Sequence, residues 1–218
     1  MAEQNKPSSG PTFSALESDL LYSGPRIPPN RPSKPPPSKG AMALIAAVGG
    51  CCAALLLGEP SEPGSVGITE RFEGMILHGY LDPIGIPTKC AGDTYDVKVG
   101  KRYTLAECKA SLENGLLKHA KPVLACAPYL KDKPFALASS IDHNYNFGTF
   151  CNTSMNIAFK AGDYITGCKR FNEAANGKPQ WVYVKDGKGG YKTLPGLVKR
   201  AAARRELCER QLKQTDIK

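Results

Sequence analysis

Three side chains in one short stretch have the types and spacing for acid–base chemistry. They are Glu73 in Arg71-Phe72-Glu73-Gly74, Asp82 in Tyr80-Leu81-Asp82, and Thr88 in Gly85-Ile86-Pro87-Thr88. A turn centred on Gly85 would set Asp82 and Thr88 directly opposite one another across a hairpin, with Cβ atoms about 5 Å apart. A carboxylate and a hydroxyl so placed grip one water molecule between them. Glu73 is expected at the C-terminal end of a short helix, a position whose dipole favours the protonated carboxyl. A protonated acid on one side of a glycosidic bond and a held water on the other are what hydrolysis with inversion requires, the carboxyls standing roughly 6.5–9.5 Å apart. Glu73 would be the general acid, Asp82 would orient or deprotonate the water, and Thr88 would fix it by hydrogen bonding. Spacing alone leaves the plainer reading open, because a Glu at a helix end and an Asp entering a turn are common structural features.

The elements that must position these groups are legible around them. Ser65 can cap a brief helix through Phe72, with Gly74 ending it. Residues 80–89 carry hairpin chemistry, with the turn around Gly85. From Thr104 an amphipathic helix runs through Leu105, Cys108, Leu112, Leu116 and His119, opened by a capping box of Thr104 and Glu107. Further helices are expected at 134–145, 152–160, 164–171 and 194–212, and a small hairpin from 181–184 and 191–194. The result is an α+β domain, mainly helical with a small β-hairpin lobe.

Composition divides the chain of 218 residues unevenly. Nine of its 18 prolines fall in residues 1–40, which read as a disordered leader. Residues 41–57 carry no charge; Arg26, Arg31, Lys34 and Lys39 precede them, and Glu59 and Glu62 follow. That pattern predicts one membrane helix with the leader in the cytoplasm and the large domain exported. Eight of these 17 residues are Ala or Gly, so residence in the bilayer is only marginally favoured. Three rival readings stand beside the uncleaved anchor: a cleaved signal peptide, which lacks a convincing small-x-small site before Glu59; a lipoprotein signal at Cys51, which leaves the apolar run through Leu57 unneeded; and a buried core helix, which makes the charge flanks and the leader accidental. Residues 58–64 then form a hinge, and 65–218 the catalytic domain.

From Gly64 onward 24 Lys and Arg face 15 Asp and Glu, so the net charge of +9 belongs largely to the globular part and suits an acidic partner. Nucleic acid gains no further support, since zinc spacing, a basic recognition helix and aromatic stacking motifs are all missing. Of eight cysteines, Cys90, Cys108, Cys126, Cys151, Cys168 and Cys208 form an even set in the globular region, which suggests an oxidising destination. Without a CxxC pair or clustered His, no metal site is expected. His78, His119 and His143 read as surface or core residues, Trp181 and Tyr183 as covering the core in preference to stacking on sugar, and the run from Lys199 to Arg205 as facing solvent in preference to a cleft.

The spacing E-x8-D-x5-T within RFEG…YLDPIGIPT resembles the catalytic triad of glycoside hydrolase family 24, the phage lysozymes. The stretches TKCAG from Thr88, YTLAEC from Tyr103, Asn146-Phe147-Gly148 and GLVKR from Gly196 resemble the lambdoid endolysins of that family. The resemblance implies a lysozyme fold and a muramidase that cleaves the β-1,4 bond between N-acetylmuramic acid and N-acetylglucosamine of peptidoglycan, without cofactor, to cause host cell lysis. It assigns Glu73, Asp82 and Thr88 the roles already given, and suggests substrate contacts at Asn146, Gly148, Thr153 and Ser154. Pro87, Asp93 and Arg204 depart from the family pattern, though none is in the triad.

Residues 41–57 occupy the place of a signal-anchor-release segment. The resemblance therefore implies an inner-membrane tether with the enzyme in the periplasm, freed when a holin or pinholin depolarises the membrane. It also implies a redox switch in which Cys51 or Cys52 exchanges with Cys90, and points to Cys126 with Cys151 as a disulfide, since these two lie outside the family's usual cysteine positions. A catalytically inactive peptidoglycan-binding module and a membrane-disrupting lysis protein are the alternative functions.

Overall fold

The structure, a computed structural model, describes residues 37–58, 67–82, 85–185 and 189–215. The chain divides into Met1–Pro35 and Pro36–Lys218, and every described residue belongs to the second unit. Residues 1–36 of the leader, residues 59–64 of the expected hinge and the expected cap Ser65 therefore lie outside the described residues.

Residues 41–57 do not form the single spanning helix expected of an anchor. They lie in two helices, α1 (Lys39–Val48) and α2 (Gly50–Leu57), separated at Gly49, whose φ of +82° ends α1. Among the described residues no helix is long and apolar enough to cross a membrane. Leu44, Val48, Cys52 and Leu56 recur every four residues and are buried in the main core with Leu112, Leu116 and Ile141. α1 packs along α4 and α2 along α5, so the core-helix reading describes this structure. The reason is physical: an uncharged stripe satisfies a protein core as well as a bilayer, and small residues permit close approach. At Gly40 an added Cβ would stand 2.8 Å from Glu113 Oε2, and the Ser38 hydroxyl that caps α1 also donates to that carboxylate.

α3 (Ile68–Glu73) follows, with Gly67 at its N-cap and Gly74 at its C-cap. β1 (Ile76–Leu81) and β2 (Pro87–Cys90) make an antiparallel pair with an irregularity between Ile76 and Tyr80. The other edge of β1 meets the segment near Arg102, through Gly79 N–H to the Lys101 carbonyl and Tyr103 N–H to the Leu77 carbonyl. α4 (Leu105–Cys126) opens with the expected Thr104/Glu107 capping box and continues through Pro122, past the reach of the amphipathic pattern. Losing the Pro122 N–H costs one helical bond, and burial of Ala120 and Val123 on either side offsets it.

A short 3-10 turn (Pro128–Leu130) leads to α5 (Pro134–Phe147), α6 (Ser154–Lys160) and α7 (Tyr164–Lys169). A small hairpin of β3 (Tyr183–Lys185) and β4 (Tyr191–Thr193) precedes α8 (Pro195–Thr215), which packs along α5 and α7. Three disulfides tie the layers: Cys90–Cys108 joins the end of β2 to α4, Cys126–Cys151 joins the end of α4 to the segment before α6, and Cys168–Cys208 joins α7 to α8. Cys51 and Cys52 are free thiols, the first exposed and the second buried.

Candidate functional site

Glu73 is the last residue of α3, where Gly74 turns the chain into β1, and it is half-buried. The expected dipole position is realised, but Glu73 Oε1 also accepts a hydrogen bond from Arg200 Nη1 on α8. Its other oxygen, Oε2, stands toward Gly92, where an added Cβ would lie 3.4 Å away.

Asp82 and Thr88 are not directly opposite one another. Thr88 pairs with Tyr80, Leu81 with Pro87, and the Asp82 N–H donates to the Ile86 carbonyl, so the turn sits one residue earlier than expected and the two side chains are diagonal. Ile86 nevertheless ties them together: Asp82 Oδ1 accepts from its N–H at 2.8 Å, and Thr88 Oγ1 donates to its carbonyl at 3.0 Å. Thr88 is buried. Tyr80 lies within reach of both carboxylates: burial first, then the charges of Asp82 and Glu73, push its phenol above the ordinary value.

Behind Glu73 lies a charged cluster that the sequence reading placed in solvent. Arg200 is 4 % exposed, while Arg204 and Asp142 are fully buried. Asp142, on α5, accepts from Arg200 Nη2 at 2.8 Å and Nε at 3.2 Å, and from Arg204 Nε at 2.5 Å. Arg204 Nη2 continues to Asn146 Oδ1 at 2.9 Å. Burial opposes ionisation of Asp142, but the two guanidiniums outweigh it and hold the carboxyl below its ordinary value. The Lys199–Arg205 run misled because α8 turns two of its cations inward at a spacing of four residues, the helical repeat. That spacing was the available signal; their anionic partner, more than fifty residues away, had none.

A groove of about 790 Å³ opens beside Glu73, lined also by Asp93, Ser111, Asn114, Lys118, Tyr145 and Asn146. Asp93, a departure from the family pattern, accepts from Ser111 Oγ at 2.5 Å and from Tyr95 N–H at 2.8 Å. Tyr145 donates to the Ala91 carbonyl at 2.8 Å, and its phenol is pushed up by burial and by the Glu73 and Asp93 charges.

The remaining expected contacts divide. Asn146 lines the groove, and Gly148 closes α5 in the left-handed conformation. Thr153 is buried and spent as the N-cap of α6, and Ser154 is exposed at that helix's first turn. Trp181 packs its ring against His143 and Phe147, at 4.6 and 5.4 Å between centroids, whereas Tyr183 is exposed. Cys90, the expected exchange partner of the anchor cysteines, is bonded to Cys108. Among the described residues no three His, Cys, Asp or Glu side chains gather as metal ligands.

Residues 70–204 match the family model described as phage lysozyme. The SAR-endolysin of Enterobacteria phage P21 is 32% identical over 174 residues, covering 76% of this chain and 93% of that protein. The SAR-endolysin of Bacteriophage PS119 is 29% identical over 170 residues, covering 76% and 91%. Among solved structures, the active form of the P1 phage endolysin Lyz shares the fold with a TM-score of 0.52 at 20% identity, over 80% of this chain and 96% of that one. The muramidase domain of SpmX from Asticaccaulis excentricus gives 0.52 at 18% identity, over 65% and 91%. On the family match and the phage P21 relative together, the chain belongs to the phage lysozyme family.

Proposed function

We propose that this chain is an endolysin of the muramidase type, cleaving the β-1,4 bond between N-acetylmuramic acid and N-acetylglucosamine in peptidoglycan with inversion, and thereby lysing the host. The observation that supports this reading is Glu73 held through one oxygen at the edge of a groove, with Asp82 and Thr88 tied to one residue of the adjoining hairpin and the charges of Glu73 and Asp82 both felt by Tyr80. Glu73 delivers a proton to the leaving oxygen, and Arg200 steadies the carboxylate that remains. Asp82, assisted by Thr88, directs water to the opposite face of the sugar. Asn146, on the groove wall, contacts the glycan there.

The same reading extends to the N-terminal segment. Before release, residues 41–57 hold the chain in the inner membrane with the enzyme in the periplasm; after depolarisation by a holin or pinholin they take the core position described above. The uncharged run with its positive flank and the relatives' name, SAR-endolysin, support this.

The test of the chemistry is the release of soluble muropeptides with new reducing ends from purified peptidoglycan by the oxidised full chain. Glu73→Gln should lower the rate by about 10²–10⁴-fold without changing the melting temperature, and proton NMR of the first product should show the inverted anomer. A Glu73→Gln protein that releases muropeptides at the normal rate removes Glu73 from the role.

A further inference from the structure

We propose that Asp142 is a positioning residue for the Glu73 acid, setting both the direction of the Arg200 guanidinium and the net positive charge beside the acid's proton. The inference rests on Glu73 being the general acid.

The geometry supplies the first half. Asp142 engages the Nε and Nη2 edge of Arg200, at 3.2 and 2.8 Å, which leaves Nη1 to reach Glu73 Oε1. A guanidinium is planar, so fixing one edge fixes the direction of the remaining donor. Arg200 and Asp142 are both buried, so Arg200 has little water to turn to if that edge is released.

Charge supplies the second half. Arg200 and Arg204 lie one turn apart on α8, and Asp142 stands between them. While Glu73 carries its proton, these three groups sum to one positive charge. Without the Asp142 carboxylate the sum is two, and the acid gives up its proton more readily; without the Arg204 cation it is zero, and the acid keeps its proton to higher pH. The other charged or titratable groups around the pair are Tyr80 and Asp82 beside the hairpin, Asp93 after β2, Lys118 and His119 on α4, and His143 and Tyr145 on α5. The substitutions below leave all of these side chains in place; His143 and Tyr145 also feel the cluster's charge, but neither lies on Glu73 as Arg200 does.

The experiment is the pH–rate profile of muropeptide release by the full chain and three variants. Asp142→Asn should move the alkaline limb about one pH unit lower, costing about tenfold in rate above the limb with KM little changed. Arg204→Gln should move the limb the opposite way, and the double variant should return it toward the wild-type position. Melting curves identify which variants are folded. A folded Asp142→Asn or Arg204→Gln protein whose limb stays in place, with only its stability reduced, makes Asp142 a structural residue and overturns the proposal. If Asp142→Asn does not fold, Arg204→Gln and the double variant decide in the same way. The premise fails separately, through an active Glu73→Gln enzyme.

Discussion

The groups that matter at the scale of single residues are ionisable and buried, and their behaviour follows from what surrounds them. His143 is a case separate from catalysis. It is fully buried against Phe147 and Trp181, and burial first, then the charge of Arg204, pushes its imidazole down to about 3 from an ordinary 6.5. Between those values the unfolded chain binds a proton that the folded chain refuses. Its contribution to stability is therefore complete above about pH 6.5 and is lost as pH falls, at roughly 1 kcal/mol per pH unit. Denaturant melts at pH 7 and pH 5 should reveal this slope, and His143→Leu should flatten it; an unchanged slope in the variant would assign the acid sensitivity to other groups. At this scale Glu73, Asp82 and Thr88 were legible in the sequence because all three lie within sixteen consecutive residues. Asp142 was not, because nothing local distinguishes a buried Asp from an exposed one on a helix.

Among the secondary-structure elements, the seating of α3 decides where Glu73 stands. The two ends of this six-residue helix are under different constraints. Gly74 allows the chain to leave with a φ of +71°. Gly67 is required for space: an added Cβ would fall 2.0 Å from the Leu56 carbonyl oxygen at the end of α2. Gly67→Ala must therefore push α3 away from α2, and a loss of about 1–3 kcal/mol in stability is expected together with a reduced rate of muropeptide release. Gly196→Ala, where an added Cβ meets nothing within 4 Å, serves as the control in the same melts and assays. If Gly67→Ala matches the control in both, the backbone contact has no influence on the site. Helix caps at Gly74 and Thr104 were readable from sequence because a cap is decided by neighbours within four residues. The hairpin register was not: shifting the turn by one residue changes which side chains oppose each other while leaving the turn composition the same.

For the whole molecule, the question is where residues 41–57 spend their time. In the core they bury Leu44, Val48, Cys52 and Leu56; in a bilayer the same side chains would face lipid. Each buried leucine contributes about 1.5–3 kcal/mol relative to water, but the eight Ala and Gly contribute little, so the bilayer holds the segment only marginally and a packed core can compete for it. Expressed in bacteria, the full chain should sediment with the inner membrane while the membrane is energised and appear, uncleaved, in the soluble periplasmic fraction after depolarisation. A chain that is soluble from the outset, or that remains membrane-bound after depolarisation, would refute the two-environment reading. The disulfides stabilise the fold with the segment in the core: the Cys168–Cys208 link spans 40 residues, a loop whose closure contributes about 4 kcal/mol by chain entropy.

By itself the sequence determined the family, the candidate stretch from Glu73 to Thr88, the main helices and the even set of six globular cysteines, because each is written in residue types a few positions apart. Only the tertiary structure decided that α1 and α2 lie in the core, that Arg200 and Arg204 share Asp142, and that Arg200 reaches Glu73. An apolar stripe carries no mark of whether lipid or protein will cover it, since both exclude water equally. A charged helix face likewise carries no mark of a partner 58 or 127 residues away, because that choice is made by packing, when α5 and α8 come together behind the site.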